Sequence, residues 1–594
     1  MDESLEQERA SAPPFGGGFG GALREARAWA APRASALSCA GLLAVMTLNM
    51  LATVARKSIT NDETVLIPAA YYHLAAGDFQ HVSEHPPLCK LLAGVPLLFV
   101  QPNEAPADLA PDTLAPTEVT WAYQEKFWDD NKDIYGRLNF WPRLPMILLT
   151  VALGVVVFLF ARELFGERAA VFAVFLFSVE PTVLAHGRVV QTDIPAAFGY
   201  LLTFYALRRH RRGATWKRAA WVGAAAGVAL LGKYSMLLLG PVLAAYFVAL
   251  FVRATRRGLT RRAAAGQTGL ALAALVVVVN AAYFFQSRPF KPGDVTWARV
   301  AFEPHGDLVL SAERALSYVL PTDFVLGVFW QMWHGRVGHP AGFLGMYSDT
   351  GWWYYFPVAF ALKTTLPFLL LSLAALGWAS WRYARTRDGR FLFVLVPFAL
   401  YTAFVMLSTI NIGVRYYLPA YPFLFVACGA LLDWLLGRGR RKLATACVAA
   451  VLALSAFEAA RAFPDHMTYV NQLASARPHW WYLSDSNVEW GDDLWELAEF
   501  LRERGETRVS IAALGNARSL WYEGISAASL LALKAGEKPE TRYAVVGASF
   551  LNGSVIPRMK GLSEEERVNF FDSYRRREPE AVIGGLYVYR EDGR

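Results

Sequence analysis

Charged residues and cysteines are both scarce in this sequence. Asp, Glu, Lys and Arg make up 18% of its 594 residues, whereas soluble domains average about 25%. Intrinsic disorder is excluded as the main state, because disordered chains are rich in charge and poor in apolar side chains. Four cysteines are too few for a disulfide scaffold in a chain of this length. The glycine-rich segment 16–21 is not a phosphate loop, since neither a preceding strand nor a GKS/T sequence accompanies it.

Hydrophobic residues, by contrast, make up 55% of the chain and gather in long runs. A helix needs about 20 mainly apolar residues to cross a bilayer, and the segment 35–55 has no charged residue at all. The run 88–100 is too short to cross and carries Lys90, so we expect an interfacial or re-entrant helix there. Eleven spans are predicted, at residues 35–55, 141–161, 169–187, 190–207, 217–234, 236–252, 266–285, 355–380, 391–408, 415–436 and 443–460.

The basic residues indicate how these spans are oriented. Four short connecting loops are strongly basic, and the first, 208–218, holds six Lys or Arg residues and no acid. Eleven spans place all four loops on one side, which the positive-inside rule identifies as the cytoplasm. The net charge of +8 therefore reflects membrane topology rather than a nucleic-acid partner. The loops are 208–218, 253–262, 382–390 and 438–442.

The remaining long segments are predicted to lie on the outer face. Two long loops, 57–140 and 286–354, separate spans there as the first and fourth outer loops. The tail, 461–594, alternates strand-like and helix-like pieces, which predicts a small α/β domain. The expected fold is an α-helical polytopic membrane protein, with a cytosolic tail at 1–34, a membrane domain at 35–460 and an extracytoplasmic α/β domain. The predicted strands of the tail are 509–514, 543–547 and 581–589, and its predicted helices are 493–504 and 564–577.

Ionisable residues recur at the predicted outer ends of the spans, where charge beside a bilayer is rare and often functional. The carboxylates Asp62, Glu63 and Asp193 could supply a general base, although a solvated acid pair or a helix cap fits the same positions. The cations could hold a lipid phosphate, or each could simply extend to the interface. Lys363 lies deepest in a span, which favours a functional role. The cations are Lys90, Arg143, Lys233, Lys363 and Arg415.

Short motifs around these residues occur in an order typical of one enzyme family. The pair Asp62-Glu63 after the first span is followed by HPPLCK at 85–90. Over residues 35–500 the chain resembles the GT-C glycosyltransferases, and most closely the protein O-mannosyltransferase family (glycosyltransferase family 39) and its bacterial relatives. That family has glycine where Cys89 stands. The other matching motifs are RLP at 143–145, TDIP at 192–195, GK at 232–233, GWWYYFP at 351–357, LKTTLP at 362–367, VRYYLPAYP at 414–422 and DSNVEWGDDL at 485–494.

The resemblance implies a membrane glycosyltransferase. It would move mannose, or a similar hexose or pentose, from a polyprenyl-monophosphate donor to an acceptor hydroxyl, with inversion, on the outer face of a bacterial cytoplasmic (inner) membrane. By this resemblance Asp62 is the catalytic base, Glu63 lies beside it, and Asp193 positions substrate or metal. The five cations correspond to the ligands of the donor phosphate. The residues expected to line the substrate groove are His85, His339, Trp352, Tyr354 and Tyr416.

The partners and the cofactor are less defined by the sequence. The acceptor could be a protein, lipid A or an envelope polysaccharide, and membrane lipids surround the enzyme. No cofactor is required, but a divalent metal is possible. Its ligands could come from a mixed oxygen and nitrogen set whose spacing is not diagnostic. These candidate ligands are Asp62, Glu63, Asp193, His334 and His339.

Two other classes of protein fit part of the pattern. A transporter or lipid flippase also has many spans and buried charges, but such proteins often show internal repeats with charges at the bilayer midplane. This sequence shows no internal repeat, and its unusual charges gather at one face. A non-catalytic membrane scaffold that presents the tail is the second alternative. It predicts no pocket joining Asp62 to the basic residues.

Overall fold

The computed structural model describes residues 33–103, 118–437, 441–533, 537–556 and 562–591. Nearly all of the predicted cytosolic tail, 1–34, lies outside these residues. The glycine-rich segment and most of the basic loop 438–442 also lie outside them. The fold is described below for the remaining chain.

Helices form most of the structure up to residue 461. Among the described residues, six helical segments are long and apolar enough to cross a membrane. Two shorter apolar helices accompany them, Leu88–Val100 and Leu392–Met406. The first has the bounds expected for an interfacial or re-entrant helix. The six long segments are Ala34–Val54, Lys132–Phe165, Tyr234–Val252, Arg261–Ala282, Val414–Leu436 and Lys442–Arg461.

The other predicted spans are helical as well, but two of them are broken. The third divides at Glu180, and the eighth divides at Thr364-Thr365. Pro181 and Pro367 follow these breaks in the first turn of the next helix. Proline lacks the N–H needed inside a helix but fits its first turn, so each proline ends one helix and starts another. The helices in these spans are Glu167–Val179, Pro181–His186, Asp193–Arg212, Trp216–Gly232, Tyr355–Lys363 and Leu366–Thr386. Eleven crossings stay a prediction.

The two long loops contain short helices rather than irregular chain. In the first loop, the helix Asn61–Ala75 packs against Leu88–Val100. The second loop ends in a two-stranded antiparallel hairpin, β1 (Ala341–Phe343) and β2 (Met346–Ser348). The other helices of these loops are Glu118–Asp130, Tyr135–Phe140, Pro292–Ala301, Gly306–Leu316 and Thr322–Val337.

The tail contains a five-stranded mixed sheet with the strand order β4-β3-β5-β7-β6. Strands β3, β4 and β5 are parallel, and β7 pairs antiparallel with both β5 and β6. Leu497, Leu501 and Val545 lie in the apolar core between this sheet and the helix Leu494–Glu503. The strands are β3 (Arg508–Ala512), β4 (Ser526–Ser529), β5 (Tyr543–Gly547), β6 (Ala581–Ile583) and β7 (Leu586–Arg590).

Two predicted elements of the tail have different bounds. The single strand predicted at 581–589 is a hairpin, because Gly584 adopts a φ of +55° and turns the chain between β6 and β7. Such a conformation is accessible to glycine without a steric cost. The helix predicted at 564–577 is two short helices, Glu564–Val568 and Asp572–Arg575. Strand β4 was not predicted.

The beginning of the tail is bound to the helical part of the chain rather than separated from it. The amide of Ser58 donates to the carbonyl of Asp492 over 3.0 Å, and the amide of Asn61 donates to the carbonyl of Trp490 over 2.8 Å. The amide of Asn471 donates to the carbonyl of Leu362 over 2.8 Å. Buried main-chain groups need such partners. The tail therefore reaches the residues that follow the first helix.

Candidate active site

Four charged side chains from four segments form what we call the charge cluster: Asp62, Arg415, Asp193 and Lys233. Arg415 Nη1 lies 2.6 Å from Asp62 Oδ2 and 3.6 Å from Asp193 Oδ2. Lys233 Nζ forms an ion pair with Asp193 Oδ1. The charges thus alternate in sign along the cluster. Opposite charges at these distances attract each other.

The local structure explains how three of these side chains are placed. Asp62 is the second residue of Asn61–Ala75, and Asp193 is the first residue of Asp193–Arg212. Lys233 directly follows the helix Trp216–Gly232. A Cβ atom on Gly232 would lie 2.7 Å from the carbonyl carbon of Pro195. Glycine therefore lets this turn approach the start of the Asp193 helix, which brings Lys233 to Asp193.

Aromatic rings cover the two cations of the charge cluster. The guanidinium carbon of Arg415 lies 4.2 Å from the centre of the Trp490 ring. The Nζ atom of Lys233 lies 3.4 Å from the centre of the Tyr416 ring. Cation–π contacts of this kind contribute more when they are shielded from water. Tyr416, which was predicted to line the groove, is therefore a direct neighbour of the charge cluster.

Glu63 and Arg143 were predicted as site residues, but they bind each other outside the charge cluster. Arg143 donates through Nε and Nη2 to the two oxygens of Glu63, over 2.8 Å and 2.6 Å. Both side chains are fully buried. Arg143 also donates to the carbonyls of Lys57 and Ser58. In the structure these groups therefore bind each other and the main chain, and a role in catalysis or phosphate binding stays a prediction for both residues.

Lys90 and Lys363 bind main-chain carbonyls. Lys90 Nζ donates to the carbonyl oxygens of Val82 and His85, over 2.7 Å and 2.9 Å, and thereby fixes the loop before its helix. Lys363 Nζ donates to the carbonyls of Met467, over 2.7 Å, and of Asn487. Both lysines are buried. In the structure their ammonium groups hold backbone segments together, and a phosphate-binding role for the two lysines stays a prediction.

The predicted groove residues lie around the charge cluster at different depths. Burial and the positive charges of Lys90, Lys233 and Arg415 lower the pKa of His85 to about 3. Burial also lowers the pKa of His339, and Arg415 and Asp62 are among the charges that act on its ring. Both rings are therefore neutral near pH 7.

Trp352 and Tyr354 pack against the hairpin β1-β2. Their rings pack against Phe343, with centroid distances of 5.3 Å and 5.8 Å. The amide of Trp352 donates to Asn411 Oδ1 over 2.7 Å. These contacts attach the segment that follows the hairpin β1-β2 to the hairpin itself. The structure shows packing contacts for both residues, and their place in the substrate groove stays a prediction.

Several residues of the site were missed as individual candidates, and all of them lie in the tail motif 485–494. Ser486 Oγ accepts a hydrogen bond from Arg415 Nε over 3.0 Å. Trp490 stacks on the same guanidinium. Asp492 binds Arg188 over 2.7 Å, with both side chains fully buried. The motif was recognised as a resemblance, but spacing alone could not connect it to residues that are hundreds of positions away.

The donor set does not fit a metal ion at the predicted position. Asp62 and Asp193 are each paired with a cation, Glu63 binds Arg143, and His334 Nε2 lies 3.2 Å from His339 Nδ1. Within the described part of the chain, one other group of acids has metal-like spacing, formed by Asp465, Asp493 and Glu496. The ammonium of Lys57 binds all three of these carboxylates.

The family model for dolichyl-phosphate-mannose-protein mannosyltransferases matches residues 133–283. This segment contains Arg143, Asp193 and Lys233, and the match confirms the resemblance that the sequence motifs indicated. The chain is thus similar to a family of glycosyltransferases over about a quarter of its length. No curated protein sequence matches the chain.

Solved structures of three proteins align with the chain at low identity. The Archaeoglobus fulgidus oligosaccharyltransferase in its apo form is 14% identical, with a TM-score of 0.46, over 90% of this chain and 68% of that chain. ArnT from Cupriavidus metallidurans bound to undecaprenyl phosphate is 15% identical, with a TM-score of 0.43, over 92% of this chain and 96% of that one. The S. cerevisiae protein O-mannosyltransferase Pmt1-Pmt2 complex bound to the sugar donor is 12% identical, with a TM-score of 0.49, over 72% and 90%.

Proposed function

We propose that this protein is a membrane glycosyltransferase that moves a sugar from a polyprenyl-monophosphate donor to a hydroxyl group of an acceptor. One observation carries the proposal: the carboxylates Asp62 and Asp193 alternate with the cations Arg415 and Lys233 in a single cluster. A phosphate leaving group needs positive charge, and an attacking hydroxyl needs a base. The charge cluster supplies both within hydrogen-bonding distance of each other.

Asp62 is suited to be the base. Its side chain is 20% exposed, whereas those of Asp193 and Arg415 are 1% and 6% exposed. An acceptor can therefore reach Asp62 more readily than Asp193. The side chain of Asp62 is paired with Arg415, and a carboxylate is the form of an acidic side chain that accepts a proton. The acceptor hydroxyl would lose its proton to Asp62 as its oxygen attacks the anomeric carbon.

Arg415 and Lys233 would stabilise the departing phosphate. The bond between the anomeric carbon and the phosphate oxygen breaks, and its electron pair stays on that oxygen. Arg415 uses Nη1 for Asp62 and Nε for Ser486, so its Nη2 group would donate to a phosphate oxygen. A guanidinium can bind phosphate in a planar, paired geometry. One displacement of this kind inverts the anomeric centre.

The buried carboxylate of Asp193 would hold the side chains of Lys233 and Arg415 close to each other. It contacts Lys233 directly and lies 3.6 Å from Arg415. An acidic residue between two cations reduces their mutual repulsion before the donor binds. When the phosphate enters, it adds negative charge to the same pair of cations. Asp193 therefore positions the phosphate ligands and takes no proton.

The family match and the apolar helices indicate which donor and acceptor we propose. The matching family is described by dolichyl-phosphate-mannose, which supports mannose or a similar sugar on a lipid phosphate. The apolar helices support a membrane location for such a donor. The basic loops indicate the cytoplasmic side of a bacterial inner membrane. The charge cluster would then lie at the opposite, outer face. The acceptor is a hydroxyl of a protein, lipid A or an envelope polysaccharide.

Glycan analysis of a deletion strain tests this function. The strain should lose one sugar from an envelope lipid, polysaccharide or protein, and a plasmid copy of the gene should restore it. A copy with Asp62→Asn should restore nothing although the protein reaches the membrane. Asp130→Asn is the matched control, because Asp130 forms an exposed ion pair with Lys126. An unchanged glycan profile together with a lost transport activity would favour a transporter instead.

A further inference from the structure

The tail segment 485–492, which we call the docking segment, contacts Arg415 and the start of the helix that carries Asp62. We propose that its Ser486 and Trp490 are positioning residues that hold Arg415 in the orientation needed to bind the lipid phosphate. This inference rests on the proposed function, because it assigns a role within the same site. It makes the tail an integral part of the active site rather than a separate outer domain.

The contacts of the docking segment with Arg415 come from two directions. Ser486 Oγ accepts from Arg415 Nε over 3.0 Å and donates to the carbonyl of Ile412 over 2.6 Å. Trp490 is 1% exposed and places its ring 4.2 Å from the guanidinium carbon. One contact fixes the edge of the guanidinium and the other covers its face. Together they restrict the side chain to a narrow range of orientations.

Gly413 shows how closely the docking segment approaches. This residue has a φ of +155°, and a Cβ atom on it would lie 2.2 Å from Ser486 Oγ. Any larger residue would push Ser486 away from the chain that leads to Arg415. The amide of Val414 also donates to Asn487 Oδ1 over 2.8 Å. The chain before Arg415 is thus built around the docking segment.

The docking segment also fixes the start of the helix that carries Asp62. The amide of Asn61 donates to the carbonyl of Trp490 over 2.8 Å. Ser58 Oγ donates to the carbonyl of Gly491 over 2.9 Å. These are backbone anchors that a side-chain change at Trp490 leaves in place. The side chain of Trp490 therefore acts on Arg415, and its main chain acts on the Asp62 helix.

Two buried acids hold the docking segment itself. Asp492 is bound to Arg188 over 2.7 Å. Glu489 accepts hydrogen bonds from the amides of Leu514 and Ser549, over 2.6 Å and 2.8 Å, at the carboxyl ends of strands β3 and β5. The segment is thus braced on one side by the helical bundle and on the other by the sheet. A rigid support of this kind keeps a binding group in its productive geometry.

A double-mutant cycle between Trp490 and Arg415 tests the inference. Undecaprenyl phosphate without a sugar serves as the probe, and its Kd is measured for the full-length protein in detergent. Trp490→Leu should weaken binding by about five- to thirtyfold, the loss expected for a shielded cation–π contact. Trp490→Phe should recover most of this loss, since it restores an aromatic face. Ser486→Ala should weaken binding by about five- to tenfold.

In the Arg415→Gln background, Trp490→Leu should change the Kd less than about twofold, because contacting residues are non-additive when one acts through the other. Trp521→Leu is the matched control, since its ring is half exposed on a helix of the same tail, and it should not change the Kd. Equal losses with and without Arg415, or no loss with Trp490→Leu, would overturn the inference alone. A wild-type protein that does not bind undecaprenyl phosphate would overturn the proposed function with it.

Discussion

Arg415 Nη1 lies 2.6 Å from Oδ2 of Asp62, and the same nitrogen lies 3.6 Å from Oδ2 of Asp193. One guanidinium therefore joins the acidic residue after the first helix to the one at the start of Asp193–Arg212. The positive charge of this guanidinium attracts both carboxylates at these distances. Under the proposed function, this relationship would let one site combine a proton acceptor with a phosphate ligand.

Removal of either cation of the charge cluster should weaken binding of the donor phosphate. Hydrogen bonds to charged groups contribute about 1.5–3 kcal/mol each, so Arg415→Gln and Lys233→Gln should each raise the Kd for undecaprenyl phosphate by about ten- to hundredfold. Titration of the purified variants measures this change. Lys126→Gln is the control, because Lys126 is an exposed cation paired with Asp130. Binding that is unaffected in both variants would place the phosphate elsewhere.

Substitution of Glu63 or Arg143 should mainly lower the stability of the folded protein rather than its rate of sugar transfer. Breaking a buried ion pair by removing one partner costs about 3–5 kcal/mol, so Glu63→Gln and Arg143→Met should each lower the thermal unfolding temperature and the yield of folded protein. Replacing both residues with methionine should recover part of the loss, because no unpaired charge is then left behind. Fluorescence-detected thermal unfolding in detergent makes the comparison. A Glu63→Gln protein of wild-type stability that transfers no sugar would instead support a catalytic role.

His85 should make the protein sensitive to acid. Its folded-state pKa is about 3, while a free histidine titrates near 6.5. As the pH falls from 6.5 towards 3, His85 binds a proton in the unfolded chain but stays neutral in the folded protein. The free energy of unfolding therefore decreases in this window. His85→Gln should have a shallower decline of the unfolding temperature between pH 7 and about pH 5. Parallel curves for the two proteins would show that His85 contributes nothing to this dependence.

Chelators should leave sugar transfer unchanged. Both carboxylates of the charge cluster already have a cationic partner, so a divalent ion would have to displace Arg415 or Lys233. The rate of transfer in excess EDTA, compared with the rate in added Mg²⁺ or Mn²⁺, measures the requirement. Loss of transfer in EDTA and its recovery with one metal would show that the ion replaces these partners when the donor binds.

The sequence indicated which charged residues are unusual, but not which of them pair with each other. Asp62, Asp193, Lys233 and Arg415 were all expected in the site, since polar residues at helix ends beside apolar runs are rare. Arg143 followed the same pattern, yet it binds Glu63 in the interior. Whether a buried charge meets substrate or another side chain depends on tertiary contacts, which hydropathy and spacing do not contain.

For the tail as well, the sequence predicted local elements but not tertiary contacts. Its strands β3 and β5 were predicted close to their observed positions, because alternating apolar residues mark a strand locally. Its contact with the Asp62 helix was not predicted, since Asn61 and Trp490 are joined by a main-chain hydrogen bond that leaves no pattern in the sequence. The breaks at Glu180 and Thr364-Thr365 were missed as well, although Pro181 and Pro367 were a signal for both.

The most direct test measures donor binding and sugar transfer on the same Asp62→Asn protein. Purified protein in lipid is supplied with radiolabelled polyprenyl-phosphate mannose and with acceptor extracted from the deletion strain. General-base catalysis contributes about 10²–10⁴-fold, so the variant should bind undecaprenyl phosphate within about threefold of wild type while its turnover falls at least about a hundredfold. Wild-type turnover by Asp62→Asn would contradict the account, because the proton would then leave through another group.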